Sequence, residues 1–381
     1  MSISCIIPTL NRSALLRNTI NSLIKQTLSQ DKYEILIIDN GSTDDTEELS
    51  QHIIKERANG QIRYIFESEP GLLAGRHRGA LEAKGELLVF VDDDIEATSG
   101  WLQAIFETFK SPRVQLVGGR NLPKFEVEPP AWLESFYDRT PDGGRSCPWL
   151  SLLDLGESER EIDPNYVWGL NFAIRRRALY DLGGFHPDLV PQKLRRFQGD
   201  GETGLTMKAR SRGCTAVYQP KAIIYHTIPA GRMTPEYFEK RAYYQGVCDS
   251  YSKIRRERSG ALKFSPLRNA RRIAGRVVRY LNHLQSQACG MAKTAEVTAI
   301  RQRVHRAYQA GYEFHQSAVR SGPELLAWVI RSDYWDYRLP QHPAETTPQP
   351  PPRVNPTIES HHKPPLATTM PGPADKISQR W

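Results

Sequence analysis

The stretch ELLVFVDDD, residues 86–94, decides how the rest of the chain is read. Leu87 to Val91 form an unbroken apolar run of strand length, and Asp92, Asp93 and Asp94 follow at once. Adjacent carboxylates repel one another, and burying any of them unpaired is costly. Such a cluster at the tip of an apolar strand is tolerable where a cation sits in it. In an extended segment Asp92 and Asp94 project to one side and Asp93 to the other. One face of the trio is therefore expected to hold a hard divalent ion, Mg2+ or Mn2+, shared with a ligand's phosphates, and the other to bond a ribose. An acidic turn facing solvent is the plainer alternative for a lone Asp triplet, and the surrounding sequence weighs against it.

Outward from this strand the first 120 residues alternate two patterns. Short apolar runs end in polar or Gly residues at 4–10, 33–40, 62–68, 86–93 and 114–119, and helical stretches fill 13–27, 45–57, 72–84 and 100–110. Ser42 or Thr43 is placed to cap the second helix, with Asp44, Asp45, Glu47 and Glu48 in its first turns. Strands and helices alternating at this spacing predict an α/β fold, a mainly parallel sheet covered on both faces. Ligands of such sheets bind outside the carboxyl ends of the strands. Asp39 and the three aspartates all fall there.

Three further motifs sit at strand ends. IIDNGSTDDT (37–46) places Asp39 before a tight Gly turn, where its carboxylate can accept from an imino N–H of a base. IIPTLNR (6–12) ends the first strand with Pro8 and Thr9, whose backbone and hydroxyl can line a base pocket. GLLAGRHRGA (71–80) opens a helix with Arg76 and Arg78, partners for a base or a diphosphate, or simply a solvated face. Together with WGLNFAIRR (168–176), these motifs and the aspartate strand resemble the family 2 glycosyltransferases of the GT-A fold. The resemblance spans roughly residues 1–250. It implies an inverting enzyme that uses a nucleotide-diphosphate sugar, on a Rossmann-like αβα sandwich. It also implies that the family's D-x-D element falls on Asp92-Asp93-Asp94, with Asp94 the metal ligand and Asp92 (with Asp93) at the ribose or diphosphate. Asp39 then resembles the uracil-reading acid, with Thr9 beside it. Arg76 matches the Arg of the family's A-R-N motif, although His77 stands where Asn is usual. Gly169 and Asn171 match an acceptor-side loop in which Asn171 would orient a hydroxyl, and Trp168 would stack on a sugar face or belong to the core.

Inverting transfer needs a base on the acceptor side and positive charge beside the departing diphosphate. FQGDGETGLTMKARSRG (197–213) supplies two acids, Asp200 and Glu202, just before a helix. Registering that helix on Leu205–Lys208 puts the base on Glu202, while registering on the preceding Gly favours Asp200; the helix period favours Glu202. A capping role for both acids is the structural alternative. In YHTIPAGR (225–232), His226 can complete a metal's shell and Arg232 can grip phosphate.

Bulk properties bound the rest. The five cysteines are scattered and form no C-x-x-C pair, which predicts reduced thiols in a cytoplasmic setting. The opening MSISCIIPTL lacks a basic n-region, and no stretch approaches the roughly 20 apolar residues of a membrane span. The net charge of +8 is concentrated in residues 251–310, where 14 Lys and Arg face only Glu257 and Glu296. Two helices are expected within 268–320. The first would carry Ile273, Val277, Leu281 and Leu284 on one face, and the second Val297, Ile300, Val304 and Tyr308. Arg271, Arg272, Arg276, Arg279, Arg301, Arg303 and Arg306 surround those stripes, which suits either a helical subdomain or contact with anionic lipid at the inner membrane face. No nucleic-acid motif accompanies the charge. Residues 120–165, rich in Pro, Gly and Trp, read as a long loop or lid. Residues 340–373 hold 11 of the 27 prolines and read as a disordered tail.

The expected organisation is a catalytic domain at 1–256, a basic helical appendage at 257–335 and a Pro-rich tail at 336–381. The expected partners are a nucleotide-diphosphate sugar, most naturally UDP-linked, and a hydroxyl on a saccharide or lipid-linked acceptor, as in polysaccharide or glycolipid synthesis. Two rivals stand beside this. A sugar nucleotidyltransferase would show a Gly-rich, basic phosphate loop after the first strand, which PTLNRSALLR lacks. A non-catalytic nucleotide-sugar binder would tolerate loss of both Asp200 and Glu202. A Rossmann dehydrogenase is excluded because no G-x-G-x-x-G follows the first strand.

Overall fold

The structure, a computed structural model, describes residues 1–57, 60–139, 143–258, 295–336 and 339. Strands β1 (Ile3–Thr9), β2 (Tyr33–Asp39), β3 (Ile62–Phe66) and β4 (Leu87–Val91) alternate with helices α1 (Ser13–Leu23), α2 (Thr46–Arg57) and α3 (Leu72–Glu82). The short β5 (Ile95–Ala97), α4 (Trp101–Thr108) and the long β6 (Val114–Phe125) follow. β1 pairs in parallel with β2 and β4, and β2 with β3, giving the order β3-β2-β1-β4. The chain thus runs outward from β1 and then crosses back to its other side, so the ligand crevice of this fold lies between the ends of β1 and β4.

The strands are apolar at nearly every position because both faces are covered. Alternate residues go to opposite cores: Ile6, Leu88 and Phe90 pack with Leu73 and Ala80 of α3, while Cys5, Ile7, Leu87, Val89 and Val91 pack with Leu16, Ile20, Trp101 and Ile105. This is a mixed α/β sandwich with a parallel β3-β2-β1-β4 sheet and helices added after it in the chain, the α/β architecture that the alternating pattern predicted. α3 lies close on β1. A Cβ on Gly79 would fall 2.3 Å from Ile6 Cγ2. Gly79→Ala is therefore expected to destabilise by about 1–3 kcal/mol through overpacking, read as a lower urea midpoint at unchanged m-value.

Residues 120–165, expected as a loop or lid, instead build sheet. β7 (Asp138–Arg139), β8 (Arg145–Cys147), β9 (Leu152–Asp154) and β10 (Arg160–Ile162) are strands of two or three residues, too short to show a period in the sequence. β9, β8 and β7 extend β6 as an antiparallel meander. β11 (Asn171–Arg175) runs antiparallel between β4 and β6. After α5 (Arg176–Asp181) and α6 (Gly201–Ser211), β12 (Thr215–Ile228) runs along β6 as one bulged strand.

The chain ends its described part in helices α7 (Pro235–Arg258), α8 (Ala295–Ser321) and α9 (Pro323–Val329). Tyr251, Val319, Trp328, Val329 and Tyr334 join the same core as Phe90 and Phe172. Ile300 and Val304 of the expected α8 stripe are buried against Trp132, Phe136 and Phe238, with Val297 and Tyr308 partly buried beside them. Arg301 bonds the Ser135 carbonyl, and Arg303 pairs with Glu236 at 2.9 Å and Glu239 at 2.6 Å; Arg306 is exposed. The helix expected from 268, its arginines Arg271, Arg272, Arg276 and Arg279, and the tail lie outside the described residues. No helix among the described residues is long and apolar enough to cross a membrane.

Three histidines, His77, His186 and His315, are buried beside the core that holds Phe90 and Tyr251. Burial pushes His77 down to about 3, and His186 and His315 each to about 4. The unfolded chain binds protons on all three near pH 6.5 while the folded chain does not, so stability rises with pH across that interval. The contribution of these three histidines is expected to be complete above about pH 6.5 and to be lost progressively toward pH 4. Comparing the melting temperature of His315→Gln with that of the wild type at pH 7.5, 6 and 5 checks this: the variant should gain relative to the wild type as pH falls, and a constant difference would contradict it.

Candidate active site

The crevice between β1 and β4 gathers the strand-tip residues. Asp93 and Asp94 lie in a turn between β4 and β5, so the extended geometry expected of the triplet does not apply. Asp93 Oδ1 accepts from Arg12 Nη1 at 2.6 Å, and its Oδ2 from Thr9 Oγ1 at 2.8 Å. Asp94 Oδ2 accepts from Arg12 Nη2 at 2.7 Å and from Arg232 Nη2 at 2.8 Å. Arg12 thus grips two neighbouring carboxylates with its planar fork, a geometry lysine cannot reproduce. Burial pushes the Asp93 carboxyl up, opposed by Arg12 and reinforced by Asp94, to about 7. Asp92 is likewise raised, chiefly by burial against the pull of Arg76.

Asp94 Oδ1 is buried and has no hydrogen-bond partner among the described residues. The nearest charged or ring atom paired with it is His226 Nε2, 3.4 Å away. His226 Nδ1 faces the Leu150 carbonyl at 2.9 Å, and a carbonyl only accepts, so Nδ1 carries the proton. Arg232 Nη1 stands 2.7 Å from Nε2 as a donor, which places a lone pair there. Arg232 thus engages the Nε2 lone pair and, once turned away, would leave a carboxylate oxygen and an imidazole nitrogen 3.4 Å apart, both open to one ligand. That donor set suits a divalent cation. No group of three or more His, Cys, Asp or Glu converges among the described residues, so the protein offers these two donors and a ligand would have to supply the others.

On the base-pocket side Asp39 is buried. Its Oδ1 accepts from the Ser42 N–H at 2.8 Å and its Oδ2 from Tyr64 OH at 2.7 Å. Across the crevice, Arg76 Nη2 lies 3.8 Å from Asp92 Oδ1, and Nη1 lies 3.3 Å from Glu202 Oε2. Glu202 Oε1 accepts from the Gly169 N–H at 3.3 Å. Arg76 thus joins the aspartate cluster to the first turn of α6, braced by its guanidinium over the Phe185 ring.

Three expected site residues sit differently. Asp200 is buried on the far side of α6, bonded to His186 and Ser252. Asn171 is enclosed, its amide donating to Asn121 Oδ1 and to the Ala222 carbonyl, both at 3.0 Å, and accepting from Trp101 Nε1 at 3.0 Å. Trp168 donates to the Asn165 carbonyl at 3.0 Å and packs partly into the core. Two contributors had no role in the sequence reading. Arg12 stands in the quoted IIPTLNR, and three clustered acids call for a cation that the first basic residue past β1 could supply. Tyr64 carries no local signal, since its role exists only because β3 pairs with β2 beside Asp39.

A doubly wound sheet with acids at its switch point and a carboxylate facing them across an arginine defines a GT-A type protein. Residues 4–183 match the model of glycosyl transferase family 2, and the chain carries a family 2 glycosyltransferase domain. The glycosyltransferase AglE of Haloferax volcanii is 26% identical over 238 residues, covering 62% of this chain and 70% of that one. The validoxylamine A glucosyltransferase of Streptomyces hygroscopicus subsp. jinggangensis is 27% identical over 204 residues, and there the match spans about half of each chain, 49% and 48%. Among solved structures, the mannosyltransferase PcManGT from Pyrobaculum calidifontis, in complex with GDP-Man and Mn2+, superposes with a TM-score of 0.50 at 18% identity over 87% of this chain and 85% of that one. That likeness shows the fold.

Proposed function

We propose that this protein transfers a sugar, with inversion, from a nucleotide-diphosphate sugar to a hydroxyl on a saccharide or lipid-linked acceptor. The observation that carries the reading is the buried Asp94 Oδ1, which has no hydrogen-bond partner among the described residues and lies 3.4 Å from His226 Nε2 beside the strand-tip acids. Asp94 and His226 would hold Mn2+ or Mg2+, which when bound supplies positive charge to the departing diphosphate. Around the crevice Asp92, Asp93, Asp94 and Glu202 face the guanidiniums of Arg12, Arg76 and Arg232. The site is therefore not positive enough by itself to receive a diphosphate, which supports metal use. Arg12 and Arg232 would turn from Asp94 to the phosphate oxygens. Asp39, fixed by Ser42 and Tyr64, keeps lone pairs for a base that presents an N–H, as uracil does. Glu202 would take the proton of the acceptor hydroxyl. The mannosyltransferase of like fold, solved with GDP-Man and Mn2+, lends support to a nucleotide-sugar donor with metal.

Thermal shift with UDP, GDP and dTDP, each with and without Mn2+, tests the reading. Nucleotide and Mn2+ together are expected to raise the melting temperature more than the sum of either alone; saturation at 100 times Kd corresponds to about 2.7 kcal/mol. Indifference to every combination would remove the reading.

A further inference from the structure

Asp200 begins α6 yet does not cap it, because its side chain turns away from the helix amides. Its Oδ1 lies 2.6 Å from His186 Nδ1, and its Oδ2 accepts from Ser252 Oγ of α7 at 2.5 Å. A carboxylate only accepts, so Nδ1 carries the proton and His186 donates. The pair is deeply buried: His186 is 1% exposed and is walled by the rings of Tyr251 and Tyr334, with centroids 5.8 and 5.1 Å away. No acceptor hydroxyl reaches it there.

The first turn of α6 lies directly on this pair. A Cβ on Gly204 would fall 1.9 Å from His186 Nδ1 and 2.4 Å from Asp200 Oδ1, so only glycine permits the approach. The His186 N–H also bonds the Gly201 carbonyl at 3.1 Å. Glu202 projects from the same turn toward Arg76 and the Gly169 N–H. Two buried side chains and one from the C-terminal helices therefore fix the backbone from which Glu202 reaches into the cleft.

We propose that Asp200, His186 and Ser252 form a positioning device that sets the first turn of α6 and ties the aim of Glu202 to helix α7. The proposal rests on the reading of Glu202 as the base. It assigns the second acid of the GDGE stretch a role without contact to substrate. A carboxylate whose two oxygens are both committed, on a turn packed against its partner, holds geometry to fractions of an ångström, and small misplacements of a catalytic group are costly.

The test uses the full chain, with UDP-glucose, GDP-mannose and dTDP-glucose as donors, Mn2+ present and nucleotide release as the readout. Asp200→Asn and His186→Leu are expected to lower kcat by about 10–100-fold, the usual cost of an outer supporting partner. KM and the calorimetric affinity for the nucleotide should change by no more than about twofold. His186→Asn, which returns an N–H near the Nδ1 position, should recover most of the loss, and the double variant should be no worse than either single one. Unchanged kcat in folded Asp200→Asn overturns the proposal. So does a joint loss of kcat, nucleotide affinity and melting temperature that His186→Asn does not relieve, since that marks a structural role alone. Should those variants fail to fold, Ser252→Ala deletes one bond only and is expected to lower kcat several-fold, with no change overturning the proposal. If Glu202→Gln abolishes turnover while Asp200→Asn does not, the positioning device fails and the catalytic reading stands. If the wild-type chain releases nucleotide from none of the donors and binds none of the nucleotides, both fall.

Discussion

Glu202→Gln is expected to lower kcat for sugar transfer by about 10²–10⁴-fold, the range for removing a positioned general base. The amide keeps the size of the carboxylate and can still accept from the Gly169 N–H, so the local fold should persist. Arg76 loses one of its two carboxylate partners but keeps Asp92 and the Phe185 ring. Nucleotide affinity is therefore expected to stay near the wild-type value, because no atom of Glu202 faces Asp39 or the Asp93–Asp94 turn in the described contacts. The effect should appear in kcat and kcat/KM equally, the pattern of an interaction made only in the transition state. Steady-state kinetics beside calorimetry with UDP and Mn2+ check it. Transfer within about tenfold of wild type would take the base role away from Glu202.

Asp94→Asn carries the second large effect. Asn keeps an oxygen acceptor but removes the charge that balances Arg12 and Arg232, and it weakens the buried Oδ1, which has no hydrogen-bond partner among the described residues. Turnover is expected to fall on the order of 10²–10³-fold, the scale for losing one electrostatic contact to developing charge. The thermal shift given by Mn2+ with UDP should shrink toward that of UDP alone. Unlike Glu202→Gln, this substitution should separate metal from nucleotide: the UDP response without Mn2+ is expected to survive, since Asp39 and Thr9 are intact. A full Mn2+ response in Asp94→Asn would place the cation elsewhere.

The two substitutions act on opposite walls of one crevice, joined through Arg76 between Asp92 and Glu202. Their effects on stability are accordingly expected to add within about 0.5 kcal/mol in denaturant melts.

Much of this arrangement was legible in the chain. Continuous apolar strands such as Leu87–Val91 show themselves because both sheet faces demand apolar residues, and their ends are marked by Asp39 and Asp92. Helices α1 to α4 and α6 were legible from their periodicity. The region 120–165 was not, because its strands of two or three residues are held by pairing with β6, with β12 and with one another rather than by any local pattern. The same limit applies to Tyr64, which matters through a neighbour on a different strand, and to Asn171, whose amide is enclosed by Trp101, Asn121 and Ala222 from three separate segments.

Alternation of strand and helix, and acids at strand tips, are properties of consecutive residues, so the sequence alone determined the layered sheet and the end of it where chemistry gathers. Apart from the bond of Asp39 to the nearby Ser42 N–H, what these acids face depends on residues from 14 to 138 positions distant. Only the folded chain could decide that Arg12 bridges Asp93 and Asp94, that Asp94 and His226 lie 3.4 Å apart, and that Glu202 and Asp200 find different partners from one turn of α6. The physical reason is range: periodicity is written along the backbone, whereas an ion pair or a hydrogen bond is satisfied across space, by whichever segments tertiary packing brings within about 3 Å.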